Sequence, residues 1–321
     1  MRQVKVFDGH SDIWYDAFLK NHHKENILLS YHIPRLKAGN ICGVNAAVWT
    51  NPKSENPMEK FMQMIAIRSK YMRETENNEL IFAENGLQIN KAIKSEKIFV
   101  ISSIEGLIGI GNNIDFIATL YDLGFRVISL TWNEANTLAA GCGCNDDSKG
   151  LSDFGRQAVK IIENIKIVLD VSHLSEKSFW DVVKIAQKPF IATHSNAYSL
   201  CPVPRNLKDD QIKAIAESGG LIGISALPQI VDRENPSLEK VVKHIIYVTN
   251  LIGVDHICLG FDFFDYLTTD NIIQNQKQTT GLEDVTRVPT LIECLKKSGF
   301  GEKDIEKIAL LNFLNFLQKM I

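Results

Sequence analysis

Val4-Lys5-Val6-Phe7-Asp8-Gly9-His10-Ser11-Asp12 is a short apolar alternation that runs directly into an acid, a glycine, a histidine and a second acid. Period-two alternation predicts a strand, and a polar cluster at its end is where a strand of a parallel sheet hands the chain to a loop. The same grammar recurs along the chain. Residues 98–104 run into Glu105, 167–171 into Ser172-His173, 189–193 into His194, and 257–260 into Phe261-Asp262. Apolar runs at 43–49, 126–131 and 221–225 bring the predicted strands to eight.

Between them lie stretches of helical periodicity at 58–73, 114–123, 155–163, 177–186, 209–218 and 238–252, with 288–298 and 304–319 closing the chain. Eight strands alternating with helices predict an α/β fold, a (β/α)8 TIM barrel, as a single domain over 1–321. An open doubly wound sheet has the same alternation. The placement of carboxylates and imidazoles at five strand ends favours the barrel, where all C-terminal strand ends open onto one face. A polar segment over 268–284 reads as a long surface loop suited to a lid or a subunit contact.

With 321 residues, 45% of them hydrophobic, the chain can bury a full core, and its net charge of −3 gives no basic surplus for nucleic acid or an anionic membrane. A small neutral or zwitterionic ligand fits better. No apolar run approaches the roughly 18 residues of a membrane span, and no secretory leader is recognised, so a cytoplasmic protein is expected. Six scattered cysteines need no disulfide framework; Cys142-Gly143-Cys144 reads as a loop, because an isolated thiol pair makes a poor closed zinc site.

His10 and Asp12 are two residues apart, so an extended strand puts both on one side, where they can chelate one ion. His10, His173 and His194 sit at strand ends, whereas His22, His23, His32, His244 and His256 fall in loops or helices as surface or packing residues. Imidazole and carboxylate without thiolate is the ligand set of a hydrolytic zinc site that keeps a position open for water. Glu105 closes an apolar run, where a lone carboxylate would carry a heavy desolvation cost that a pair of cations offsets. Two ions bridged by a carboxylate and a water activate that water and polarise a carbonyl, which points to amide or ester hydrolysis. Asp262 is the candidate to accept the water's proton. Asp170 stands three residues before His173 as an orienting or packing group.

With these residues assembled, the sequence resembles the membrane (renal) dipeptidase family, zinc dipeptidases of the amidohydrolase-like barrels, over nearly its whole length. The resemblance rests on Asp8-Gly9-His10-Ser11-Asp12, Ser103-Ile104-Glu105-Gly106, Leu130-Thr131-Trp132-Asn133 with Asn136, Asp170-Val171-Ser172-His173, Thr193-His194-Ser195-Asn196-Ala197, Pro204-Arg205-Asn206 and Gly260-Phe261-Asp262-Phe263. It implies two zinc ions per chain, one on His10 and Asp12, the other on His173 and His194, with Glu105 as the bridge. It also implies Asp262 as the proton-handling carboxylate, Arg205 as the grip on a dipeptide's free carboxylate, and Trp132 and Asn136 at the substrate. The implied substrate is a dipeptide, with a D-residue admitted at its C-terminal position, and the family suggests a homodimer.

Three departures stand out. Trp132 replaces the histidine of the mammalian branch, as in the bacterial branch. Phe264-Asp265-Tyr266 follows Asp262-Phe263 where the family usually continues Asp-Gly, and Leu310-Leu311 replaces a glycine pair before Asn312-Phe313. The altered segment after Asp262 motivates an alternative, a related amidohydrolase acting on another small amide, a lactone or an N-acyl amino acid. A barrel that binds metal without catalysis is the reading outside the enzymes.

Overall fold

Seven of the eight predicted runs form strands, and among the described residues one unpredicted strand joins them. The computed structural model describes residues 3–21, 26–75, 79–267 and 276–321. Its strands are β1 (Val6–Ser11), β2 (Ile41–Trp49), β3 (Leu80–Phe82), β4 (Ile98–Glu105), β5 (Phe125–Ser129), β6 (Val168–Asp170), β7 (Ile222–Ile224) and β8 (Ile257–Leu259). The sequence reading misses β3, whose three residues are too few to show a period. The run at 189–193, read as a strand, makes only the isolated bridges Asp170↔Ile191 and Ala192↔Ile222.

Strands β1, β2, β4, β5 and β6 are hydrogen-bonded in that order, β7 pairs with β8, and every pairing is parallel. β3 pairs with residues 98–100 of β4 and β5 with residues 102–105. Together they make an α/β fold with a curled parallel sheet carrying helices.

Two buried aspartates stand in where strand pairing lapses. Asp170 Oδ1 accepts the backbone N–H groups of Ser172 (2.9 Å) and Thr193 (3.1 Å), so Thr193 N–H is satisfied by a side chain and the ladder is interrupted there. Neighbouring bonds, Ile191 N–H to Leu169 O (3.0 Å) and Ala192 N–H to Leu221 O (2.9 Å), carry the chain from β6 to β7. Asp8 Oδ1 likewise accepts His10 N–H (3.2 Å) and Phe261 N–H (2.9 Å), and Asp262 N–H donates to His10 O at 3.2 Å, joining the end of β8 to β1. The Thr193 carbonyl presses so far inward that a Cβ on Gly223 or Gly260 would lie 1.9 or 1.8 Å from it. Only glycine fits at either position.

The core has two parts. Phe7, Phe99, Ile101, Val127, Val168, Ile191, Leu221 and Cys258 form an inner cluster that packs against Phe313 and Leu317 of the C-terminal helix. A larger outer cluster, with Val6, Val44, Val100, Ile128 and Leu169, packs against the helices. Alternation along β4 puts Glu105 on the parity of Phe99 and Ile101. In β1 the register shifts between Asp8 and Ser11, three residues spanning what two, Val44 to Ala46, span in β2. This extra residue moves His10 and Asp12 onto the face that Phe7 begins, the way a bulge re-aims side chains.

Most predicted helices form within a few residues of expectation: Pro57–Thr75, Phe116–Asp122, Asp153–Asn164, Glu176–Ile185, Asp209–Glu217, Leu238–Ile252 and Val288–Lys297. Serine caps start two of them, Ser152 accepting Gly155 N–H at 3.0 Å and Ser175 accepting Ser178 N–H at 3.1 Å. The last predicted helix is broken into Glu302–Glu306, a π turn at Lys307–Leu311 and Asn312–Met320. Ile13–Leu19, Ile33–Ala38 and Gly86–Lys94 are helices the sequence reading lacks.

The polar segment read as a surface loop is corrected in part. Residues 268–275 lie outside the described residues, as do His22 and His23. Beyond them Thr279 and Leu282 are buried, with Thr279 Oγ1 donating to Ala226 O at 2.6 Å and Thr280 bridging to Ser237. The other histidines have packing partners: His32 Nε2 lies 2.9 Å from Asp16 Oδ2, and His244 accepts Ala197 N–H at 3.2 Å.

Candidate metal centre

Glu105 sits at the meeting point of the strand ends. Its Oε1 lies 2.8 Å from His173 Nε2 and 3.2 Å from His194 Nε2, while its Oε2 lies 3.6 Å from His10 Nε2. His10 Nε2 is also 3.9 Å from Asp12 Oδ1 and from Asp262 Oδ1. The His10 and His194 rings stack at 3.7 Å, and the Nε2 atoms of His173 and His194 approach to 2.9 Å. Thus the five predicted ligands and Asp262, spread over 250 positions of the chain, converge on one cluster.

Two of them reach it in a left-handed backbone conformation, His173 at φ 68° and Asp262 at φ 59°. Non-glycine residues adopt that region at a cost, and here it turns each side chain toward Glu105 at the end of its strand. The His173 carbonyl is held by Cys142 N–H at 2.7 Å and Thr131 Oγ1 at 3.4 Å.

The histidine tautomers follow from their other nitrogens. Thr193 Oγ1 lies 2.5 Å from Asp170 Oδ2 and 2.7 Å from His194 Nδ1. A hydroxyl has one proton, and Thr193 donates it to the Asp170 carboxylate, so it must accept from His194 Nδ1–H. His173 Nδ1 faces Asn133 Oδ1 at 2.8 Å, which makes that nitrogen the donor too. Both rings therefore present Nε2 lone pairs to the centre. Asp170 acts through Thr193 on His194, a link its position before His173 did not suggest.

The electrostatics call for positive charge. Burial raises the Asp8 carboxyl to about 7. Burial, then Glu105, raises Asp12 well above the ordinary range, and burial with Glu105 raises Asp262 against the pull of His10. Burial also opposes charge on His10, yet Glu105, Asp262 and Asp12 outweigh it and lift the imidazole to about 10. His173 goes the other way, to about 4, through burial and the nearby Arg205, and His194 is lowered by burial, His10 and Arg205. Glu105 is held well below its usual range because His10, His173 and His194 outweigh its burial. A proton on His10 thus occupies the place of a cation.

Buried His10 Nε2 and Asp12 Oδ1 have no hydrogen-bond partner. Such atoms are costly unless something binds them. The ligand atoms of His10, Glu105 and His194 lie within 4.8 Å of one another, and so do those of His10, Asp12 and Asp262. This nitrogen and oxygen donor set fits divalent metal ions. A metal ion held by His10 would displace that proton, so loading would release protons and apparent affinity should rise about tenfold per pH unit between about pH 6 and 8. Metal titrations against a chelator across that range, with proton release followed in weak buffer, measure it; affinity flat with pH would contradict the assignment of the proton to His10.

Above the cluster lies a cavity of about 350 Å³ whose wall includes Asp12, Glu105, His173, Arg205, Asp262 and Trp132. Trp132 stands 6.0 Å from the His173 ring and edge-on to Trp49 at 5.1 Å, and Tyr15 meets Trp49 edge-on at 4.9 Å. Arg205 donates to Ser195 Oγ and His194 O, both at 2.7 Å, while its buried Nε has no partner. Asn136 stands beside this wall, lining a small recess with Glu105 and Trp132. Its amide donates to Leu130 O (2.7 Å) and accepts Leu138 N–H (2.8 Å) and Ala139 N–H (3.2 Å), bracing the loop after β5. Asn133, Thr193 and Asp8 as supports, and Trp49 and Tyr15 as wall, are not among the expected site residues; the first three stand within the motifs quoted above, while Trp49, which ends β2, and Tyr15 carry no such signal.

The chain matches, over residues 1–320, the family described as membrane dipeptidase (peptidase family M19). A protein of Klebsiella pneumoniae described as an uncharacterized protein in the pqqA 5' region is 32% identical over 276 residues, covering 83% of this chain and 97% of that protein. The dipeptidase tcpJ of Claviceps purpurea is 28% identical over 334 residues, covering 98% of this chain and 76% of its own length. Among solved structures, a metallo peptidase from Rhodobacter sphaeroides, liganded with a phosphinate mimic of the dipeptide L-Ala-D-Ala, superposes with a TM-score of 0.88 at 24% identity over 100% of both chains. An amidohydrolase from Pseudomonas aeruginosa gives 0.83 at 22% identity, covering 99% of this chain and 96% of that one. At these identities the structural likeness speaks for the fold.

Proposed function

The chain belongs to the membrane dipeptidase family and is a metallo-dipeptidase, a hydrolase acting on peptide bonds, and we propose that it works with two zinc ions shared through Glu105 on dipeptides bearing a free C-terminal carboxylate. The observation that carries this reading is the reach of Glu105 to both histidine groups, 2.8 Å to His173 through one oxygen and 3.6 Å to His10 through the other. His10 and Asp12 would hold one ion and His173 and His194 the other. Zinc bound there would lower the pKa of a coordinated water toward neutrality and polarise the scissile carbonyl.

The protein's own groups supply the rest. Asp262, buried and raised in pKa at the cavity wall, would take the proton from the attacking water and pass it to the leaving amine. Arg205 would bind the substrate carboxylate; its two struts to Ser195 and His194 hold the guanidinium in place and leave Nε–H unpaired. Trp132, with Trp49 and Tyr15 behind it, would form the apolar side of the substrate chamber. The phosphinate mimic of L-Ala-D-Ala in the Rhodobacter structure motivates extending the proposal to a C-terminal D-residue. The bridging bonds from β6 to β7 and from β8 to β1 support reading the curled sheet as a closed eight-membered barrel. No helix among the described residues is long and apolar enough to cross a membrane, and all six cysteines are free, which supports a reducing compartment such as the cytoplasm.

Kinetics on L,L, L,D and D,D dipeptides, beside N-acyl amino acids and lactones, with metal analysis of the same samples, test this reading. Hydrolysis of dipeptides with about two zinc ions per chain is expected; activity confined to lactones or N-acyl amino acids would overturn it. Arg205→Lys should raise KM about 10–100-fold with a smaller effect on kcat, since a charge-assisted hydrogen bond is worth about 1.5–3 kcal/mol. A C-terminally amidated dipeptide, poor for the native protein, should lose nothing further in this variant. Equal losses on both substrates would mean that Arg205 serves the fold and not the carboxylate.

A further inference from the structure

The Cys142-Gly143-Cys144 stretch forms no disulfide. It lies instead against the support of a metal ligand. Gly141 bridges to Leu174, Cys142 N–H donates to the His173 carbonyl at 2.7 Å, and Gly143 N–H donates to the Asn133 carbonyl at 2.7 Å. A Cβ on Gly141 would lie 2.2 Å from Trp132 O and 2.4 Å from Asn133 O, so the segment is seated directly on the Asn133 backbone.

The side chains repeat this arrangement. The Cys142 thiol lies 3.1 Å from Asn133 Oδ1, and the same oxygen receives His173 Nδ1–H at 2.8 Å. An amide oxygen has two lone pairs and can accept both. Turned over, the Asn133 amide would aim N–H donors at the ring and at the thiol, forcing the ring proton onto Nε2. That proton would cover the lone pair that faces Glu105 and His194.

Resting on the two-zinc reading above, we infer that Asn133 and Cys142 are positioning residues: Asn133 holds His173 as the Nδ1–H tautomer, and the Cys142 thiol holds Asn133 in the orientation that does so. Asn133 also stands on the cavity wall beside Trp132, but the role inferred for both residues is exerted through His173. Their effect falls on the ion bound by His173 and His194, and the ion on His10 and Asp12 is spared.

The test is competition for zinc between a chromophoric chelator and the metal-free native protein, Asn133→Ala, Asn133→Asp, Cys142→Ala and Cys142→Ser. The native protein should show two tight sites. Asn133→Ala should weaken one of them about 10–100-fold and leave the other within about threefold, the size of effect that outer partners of metal ligands have. Asn133→Asp, which keeps an acceptor, and Cys142→Ser, which keeps a donor, should stay close to native, with Cys142→Ala between native and Asn133→Ala. Two unaltered sites in Asn133→Ala overturn the inference. Should that variant fail to fold by thermal melting, Cys142→Ala decides: zinc binding equal to native overturns it. A native protein with fewer than two sites would overturn the two-zinc reading itself, a result separate from any difference among variants.

Discussion

Glu105→Gln is expected to lower kcat/KM by about 10³-fold or more, roughly 4 kcal/mol of transition-state stabilisation. Glutamine keeps the size of the side chain and one carbonyl oxygen, so packing at the end of β4 should survive. What it removes is the negative charge that His10, His173 and His194 all face, at 3.6, 2.8 and 3.2 Å. One neutral oxygen can approach one ion, and an amide nitrogen cannot ligate the other. Metal content should therefore fall together with activity, and excess zinc should restore little turnover. Elemental analysis alongside kinetics checks both; near-native activity in Glu105→Gln would rule out the shared bridge.

Asp262→Asn should act differently. Asparagine preserves shape but cannot take a proton, and loss of a general base typically costs about 10²–10⁴ in rate. kcat should fall by that order with KM and zinc content nearly unchanged, and the acid limb of the pH profile that reports Asp262 should disappear. Activity carried by Asp262 is present above the pKa of its carboxyl in the loaded enzyme and lost as pH falls through it; burial and Glu105 move that carboxyl upward in the metal-free protein, and bound cations act in the opposite direction. The alternative outcome is informative because Asp262 also lies within ligand reach of His10 and Asp12. A variant that loses zinc in proportion to activity would make Asp262 a ligand instead of a proton carrier.

Much of the centre was legible in the chain. His10, Asp12, Glu105, His173, His194 and Asp262 each follow a short apolar run, and a parallel sheet sends all such ends to one face. The seven strands that formed were readable for the same reason, since burial on one or both faces imposes a short apolar period. The exceptions are physical. The 189–193 run has the composition of a strand, yet the Asp170 carboxylate takes the Thr193 N–H that pairing would have used. The C-terminal helical stretch keeps its apolar period through a π turn that periodicity cannot register.

Sequence alone determined the α/β class, the identity of the residues gathered at the centre and the hydrolytic character of their donor set, because these depend on residue type and short-range period. Tertiary structure decided the rest: the extra residue in β1 that turns His10 and Asp12 inward, the Thr193 relay from Asp170 to His194, and the seating of Cys142 on Asn133 beneath His173. Each of these depends on which hydrogen-bond partner wins between groups that only the folded chain brings together, and local propensity carries no information about that competition.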